Sequence, residues 1–209
     1  MIYRKYIKRI LDFILSLCAL VVLSPLFLIL IIVGAIKVKG NPFFVQERVG
    51  LNEKVFKLIK FRSMTNEKDE NGEMLPDEVR LIPYGKFIRE TSLDEIPEFI
   101  NVIKGDMSII GPRPLLVSFL PRYNEVQRHR HDVMPGITGL AMATVRNAAT
   151  WERKFELDIE YVNNLSFALD VKIFFMTIGK VLSREGINEE GYISSSDFLG
   201  TEEKKWNQY

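Results

Sequence analysis

The 209 residues suffice for one ordinary domain with its own core, and a single cysteine, Cys18, excludes a disulfide framework or a thiolate metal site. The net charge of +1 conceals a division: residues 1–62 carry 11 Lys/Arg against 3 Asp/Glu, whereas residues 63–209 carry 17 against 24. A basic, apolar N-terminal third on an acidic remainder points to an anionic membrane face, and not to nucleic acid, because a long apolar stretch interrupts the basic part.

That stretch, Phe13 to Ile36, runs 24 residues without a charge. As a helix it would be about 36 Å long, enough for a hydrocarbon core of about 30 Å. It exceeds a signal-peptide apolar region of roughly 7–15 residues, and no small-x-small cleavage site follows, so it reads as a retained membrane segment. Ser24-Pro25 divides it into two 12-residue halves, and proline deletes one helical hydrogen bond. Arg4, Lys5, Lys8 and Arg9 precede it; Lys37, Lys39, Arg48 and Lys54 follow. The tie gives no orientation, as expected for a segment entering and leaving by one face. A spanning helix with a tolerated kink fits the same residues.

Asn41-Pro42 marks a turn, and Val45 to Met64 reads as short, basic, strand-like pieces. Residues 65–80, polar and acidic with Asn71-Gly72 and Pro76, predict a surface loop. Pro83 to Arg89 leads into a helix on which Leu93, Ile96, Ile100 and Ile103 form an apolar stripe ended by Gly105. Ser92 with Glu95 matches a capping box, which places Asp94 in or beside the first turn. Leu115 to His131 predicts a helix, Met134 to Gly139 a turn-rich connector. Trp151, Phe155, Ile159, Val162 and Leu165 predict another helix, and Asp170 precedes a further one from Val171 to Leu182. His129 and His131, at i,i+2 on a helix, would point apart and make no metal pair. The tail from Ser183 is acidic and polar, with short ordered pieces expected around Phe198.

Two constellations carry chemistry. Asp94-Glu95 is either a favourable acidic first turn or a catalytic pair, with Asp94 attacking a phosphorus and Glu95 completing a metal site or positioning phosphate. In Gly111-Pro112-Arg113-Pro114 two prolines hold Arg113 on a stiff extended turn, suited to a diphosphate, although a solvated arginine on a rigid turn fits too. Lys60, Arg62, Arg89 and Arg146 are further candidates for a nucleotide diphosphate, each also readable as a surface base. No P-loop, dinucleotide glycine pattern or Ser/His/Asp set is present, which argues against ATP hydrolysis, hydride transfer and serine acyl transfer.

From about Lys8 to about Leu182 the chain resembles the bacterial sugar transferase family, the monotopic phosphoglycosyl transferases. The likeness is carried by Ser24-Pro25, Lys60-Phe61-Arg62-Ser63-Met64, Thr91-Ser92-Leu93-Asp94-Glu95, Lys104-Gly105-Asp106-Met107-Ser108 and Gly111-Pro112-Arg113-Pro114. It continues through Pro135-Gly136-Ile137-Thr138-Gly139, Arg146-Asn147-Ala148 and Leu169-Asp170. The resemblance implies an α+β, predominantly helical fold: a re-entrant helix broken at Ser24-Pro25 (residues 1–39), a catalytic core on the membrane surface (40–183) and a polar tail (184–209). It also implies the catalytic core alone, without the extra transmembrane helices and N-terminal domain of larger relatives.

By the same resemblance, Asp94 attacks the β-phosphate of a UDP-sugar with Mg²⁺ bound at Asp94, UMP leaves, and polyprenol phosphate displaces the covalent phosphosugar. Glu95 completes the dyad, and Arg89 and Arg113 contact phosphate or nucleotide. The expected setting is the cytoplasmic face of a bacterial inner membrane, among membrane lipids, with no nucleic acid, and with a homo-oligomer or downstream glycosyltransferases as partners. The family commonly has Gln at Met142 and Gly at Val145, a departure that touches sugar identity and leaves the acid pair intact. A scaffold for glycan assembly that has lost the activity is the alternative.

Overall fold

A computed structural model describes residues 2–145, 149–183 and 198–200. A π-helical turn, Tyr3–Ile7, runs into α1, Lys8–Lys37. Pro25 lies inside α1, and its missing N–H would have bonded to the Val21 carbonyl. Ser24 Oγ donates to that carbonyl instead, at 2.8 Å. Satisfied in this way, the backbone continues as helix across Ser24-Pro25, where the family resemblance implies a break. Tyr3–Lys37 is long and apolar enough to cross a membrane.

The faces of α1 are inverted relative to a water-facing helix. Lys8, Asp12 and Ser16, at i, i+4 and i+8, are buried, while Ile14, Val21, Val22, Leu28, Ile32 and Ile36 are exposed. Both ends pack on the same body. Near the start, Lys8 Nζ lies 2.8 Å from Asp170 Oδ2, and Asp12 accepts from Ser108 Oγ and the Ile109 N–H at 2.7 and 3.1 Å. Arg9 donates to the carbonyls of Val102 and Ile103. Toward the other end, Leu30 packs with Phe61, Ile88 and Ile96, and Tyr84 Oη donates to the Leu30 carbonyl at 3.3 Å.

The basic segment forms an antiparallel hairpin, β1 (Phe43–Val49) on β2 (Val55–Phe61), in register from Phe43↔Phe61 to Val49↔Val55. The polar loop follows, containing an isolated bridge of Lys68 with Met74 and α2 (Asp77–Arg80), and then α3 (Pro83–Glu90) with its proline in the first turn. The capping box does not form. Ser92 adopts a left-handed conformation (φ 54°) and makes no capping bond, because it ends α3 instead of starting a helix. Asp94 and Glu95 lie on a 3₁₀ turn, Leu93–Glu95, ahead of α4 (Glu98–Lys104). Gly105 (φ 96°) ends α4: its N–H bonds to Val102 and that of Asp106 to Asn101, the two bonds of a Schellman motif.

The connector predicted over Met134 to Gly139 contains a strand. β3 (Ser108–Ile110) pairs in parallel with β4 (Gly136–Thr138), a contact no local pattern could announce. A Cβ on Gly111 would lie 2.3 Å from the Met134 carbonyl, so only glycine lets the backbones meet there. The single helix expected over Leu115 to His131 is instead a 3₁₀ segment (Val117–Arg122), α5 (Glu125–Arg128) and a 3₁₀ turn (His129–Asp132). Pro121 lies within the first piece, and Asn124 opens a new helix by a capping box with Gln127. His131 is buried in the last piece while His129 is exposed, so the two point apart as expected. The chain ends in α6 (Leu140–Thr144), α7 (Trp151–Asn164) and α8, which begins at Phe167 and runs to Ser183, so Asp170 lies inside its first turn. Phe198 of the tail buries among Phe119, Tyr123, Trp151 and Phe155. The architecture is α+β and mostly helical, as the resemblance implies.

Candidate active site

β2 and the 3₁₀ turn before α4 lie side by side, which brings the Lys60 ammonium between two acids. Its Nζ is 2.7 Å from Glu95 Oε1 and 3.0 Å from Glu98 Oε1. Arg113 reaches the same Glu95 oxygen at 3.3 Å with Nη2, and its Nη1 lies 3.3 Å from Met142 Sδ. Met142, where the family commonly carries an amide, thus touches the guanidinium itself.

The turn that presents Arg113 is held at every carbonyl from Pro112 to Leu115. Gly136 N–H donates to Pro112 at 2.9 Å, and Arg130 Nη2 to Arg113 at 2.7 Å. Arg48 Nη1 lies 3.4 Å from the Pro114 carbonyl, and Val49 N–H donates to Leu115 at 3.1 Å. Arg130 is in turn fixed by a buried pair with Asp158, at 3.0 Å from Nε and 2.7 Å from Nη2. Prolines stiffen the turn locally; Arg130, Asp158 and β4 fix where it points.

Of the expected phosphate contacts, the structure brings Lys60 and Arg113 to the acid pair. Arg89, whose Nε donates to Ser63 Oγ at 2.8 Å, bears on Asp94 through its charge. Arg62 turns away, donating to the Phe43 carbonyl at 3.2 Å. Arg146 lies outside the described residues. Ser24 and Pro25 belong to the membrane segment and to no part of this cluster. Two residues that the sequence reading missed are here, Glu98 and Arg48. Glu98 is buried beside Lys60, and Arg48 lines a cavity together with Lys60, Glu98 and Arg113. Their signal was faint: Glu98 follows the apolar-stripe residue Ile96 and Pro97 as an ordinary first-turn acid, and Arg48 is one base among many in β1.

The three acids share one neighbourhood and titrate apart. Burial pushes Asp94 up to about 6, with the Lys60 charge pulling the other way and Glu95 adding to the rise. Burial acts on Glu95 too, but Lys60 and Arg113 overcome it and hold its carboxyl at about 2. Glu98 is pushed up to about 7 by burial, because the ammonium it faces is already engaged by Glu95. No described residue forms an ion pair with Asp94, whereas Glu95 and Glu98 are both taken. Among the described residues no group of three metal-ligating side chains converges. A Mg²⁺ ion, which commonly takes one or two carboxylates and completes its shell with water and substrate phosphates, would find its carboxylate in Asp94, which pairs with no cation among the described residues.

Residues 3–184 match the family model of the bacterial sugar transferases. The chain is 48% identical over 195 residues to the uncharacterized sugar transferase EpsL of Bacillus subtilis (strain 168), covering 93% of this chain and 96% of that one. It is 40% identical over 185 residues to a Klebsiella pneumoniae UDP-glucose:undecaprenyl-phosphate glucose-1-phosphate transferase, covering 83% and 39%. With an Aeromonas hydrophila UDP-N-acetylgalactosamine-undecaprenyl-phosphate N-acetylgalactosaminephosphotransferase it shares 36% over 189 residues, covering 87% and 45%. The chain therefore spans less than half of these two longer relatives and nearly all of EpsL. It belongs to the bacterial sugar transferase family.

Proposed function

We propose that the chain transfers a phosphosugar from a UDP-sugar to polyprenol phosphate, releasing UMP, through a covalent intermediate on Asp94. The observation that carries this is the isolation of Asp94: a carboxylate with no ion-pair partner among the described residues, beside two cations that Glu95 holds in place. The substrates follow from the names of the Klebsiella and Aeromonas relatives.

Asp94 attacks the β-phosphorus with a carboxylate oxygen. The bond from that phosphorus to the bridging oxygen breaks, and UMP leaves with the electron pair. A phosphate oxygen of the polyprenol carrier then attacks the same phosphorus and the Asp94 carboxylate is expelled, so no proton need move in either step. Mg²⁺, held by Asp94 with the substrate phosphates, would offset the negative charge of the phosphate oxygens. Lys60 and Arg113 bind and orient those oxygens, Arg113 with a planar fork that matches phosphate. Glu95, ionised through the neutral range, keeps both cations in register.

The same reading puts both ends of α1 on the cytoplasmic side. What supports it is the packing of Lys8, Asp12, Leu30 and Gly34 on one folded body, since a spanning helix would carry one end about 30 Å away. Cysteines placed at Tyr3 and Lys39 in a Cys18→Ser background should both resist impermeant thiol reagents in intact cells and react after lysis; labelling at Tyr3 from outside would overturn this topology.

For the chemistry, protein incubated with UDP-sugar and Mg²⁺ but no polyprenol phosphate should gain the mass of one phosphosugar. Asp94→Asn should gain none. An undiminished adduct in Asp94→Asn removes Asp94 as the nucleophile. A panel of UDP-sugars read by UMP release identifies the sugar, and no release from any of them favours the scaffold reading.

A further inference from the structure

We propose that Arg48 is a phosphate-binding residue and that the cavity it shares with Lys60 and Arg113 is an anion subsite. The inference rests on the transfer reaction proposed above and adds a residue that neither the acid pair nor the Pro-Arg-Pro turn contains.

The cavity is walled by Arg48, Leu58, Lys60, Glu98, Arg113 and Pro114. Its three cations differ in what neutralises them. Lys60 serves Glu95 and Glu98, and Arg113 serves Glu95. Among the described residues Arg48 has no ion pair. Its Nη2 donates to the neutral Gln46 Oε1 at 2.6 Å, its Nη1 makes only the long contact to the Pro114 carbonyl, and its Nε is buried with no partner.

A guanidinium held partly out of water without a counter-ion is unfavourable, and proteins seldom keep one without a use for it. Here the disadvantage is compounded. Burial, with Arg113 adding repulsion, lowers the Arg48 proton affinity to about 10, so the fold holds two like charges close together. An incoming anion would relieve both effects, by neutralising Arg48 and by screening it from Arg113. A phosphate group, with roughly one to two negative charges, would supply the counter-charge that Arg48 lacks among the described residues. The buried Nε–H and the weakly engaged Nη1 supply the donors.

Two substrates of the proposed reaction carry such a group, the nucleotide and the lipid acceptor. The test uses the full chain in detergent, in an Asp94→Asn background where binding proceeds without turnover. Calorimetric titration with UMP in one arm and a water-soluble short-chain prenyl phosphate in the other compares Arg48 with Arg48→Gln and Arg48→Lys. We expect Arg48→Gln to weaken one probe at least tenfold, and the arm affected identifies the source of the phosphate. Arg48→Lys should recover part of the loss. The melting temperature of Arg48→Gln should equal or exceed that of its parent, because an unneutralised charge has gone; a purely structural arginine would lower it.

Affinities within twofold in both arms would overturn the subsite, as would a parent protein that binds neither probe. A lower melting temperature with both arms weakened and no recovery in Arg48→Lys would assign Arg48 to folding and overturn it too. Because these titrations need no adduct, an Arg48 effect without any phosphosugar adduct counts against the Asp94 nucleophile alone. An adduct without an Arg48 effect counts against the subsite alone.

Discussion

Two buried polar clusters differ in how completely their charges are met. At the start of α1, Asp170 accepts from Tyr3 Oη, Lys8 Nζ and Tyr161 Oη at 2.6, 2.8 and 2.8 Å, and Asp12 accepts from Ser108 and Ile109. Each acid there has its donors, and the cluster joins the membrane segment to β3, α7 and α8. Around Asp94 the pairing is uneven: one ammonium serves two acids and, among the described residues, Asp94 has no ion pair and Arg48 no counter-ion. A satisfied network rigidifies, whereas a cluster left unbalanced holds charge ready for a ligand. The first is an anchor and the second the candidate site.

The contrast can be broken by neutralising acids in each cluster. The largest effect belongs to Asp94→Asn, which should abolish phosphosugar transfer while leaving the protein as stable as before or more so, read by UMP release and by thermal melting. Asp170→Ala should do the reverse. It strands the buried Lys8 beyond what Asp12, 3.9 Å away, can neutralise, and should cost about 3–5 kcal/mol in denaturant unfolding. A loss below about 1 kcal/mol would mean the anchor is not a buried pair in energetic terms.

Smaller effects sharpen the picture within the site. Arg113→Lys keeps the charge but loses the fork, so transfer should fall by more than tenfold, above ~1.4 kcal/mol in the barrier, in a protein that melts normally. Near-normal kinetics would leave Arg113 as a solvated arginine on a stiff turn. Glu98 gives the smallest effect and one with a sign. Its carboxyl is raised in the folded state, so the native protein keeps a proton that the unfolded chain releases between about 4.5 and about 7. Stability from this group is present below that window and lost as pH rises through it. Glu98→Gln should therefore flatten the melting profile across that range and gain at least about 1 kcal/mol above it, with Asp94, raised from 3.8 to about 6, leaving a residual slope of the same sign in the lower part. A profile unchanged in Glu98→Gln would place the titration elsewhere.

Much of the site was legible because its motifs are local. Asp94-Glu95, Lys60 and the Pro112-Arg113-Pro114 turn each announce themselves by composition, and the fold brings Lys60 and Arg113 within 3.3 Å of Glu95. Glu98 and Arg48 were not legible, since an acid in a helix start and a base in an edge strand look ordinary until their neighbours are known. Arg62 fails in the opposite way. Two residues from Lys60, alternation would put it on the same face, but it stands just past the end of β2 and its guanidinium donates to the Phe43 carbonyl instead.

The sequence alone determined the long apolar segment, the basic strand-like pieces after it, the helix ended by Gly105 and the position of the acid pair, because these follow from periodicity, capping residues and steric limits that act over a few positions. Tertiary structure decided the rest. It paired β3 with β4 across 28 positions, broke the segment from Leu115 to His131 into three pieces, and carried α1 through Pro25 with a side-chain hydrogen bond. It also decided which acid is ionised, because a carboxyl's charge depends on burial and on cations that arrive from β2 and the Arg113 turn, distant in sequence from the acid itself.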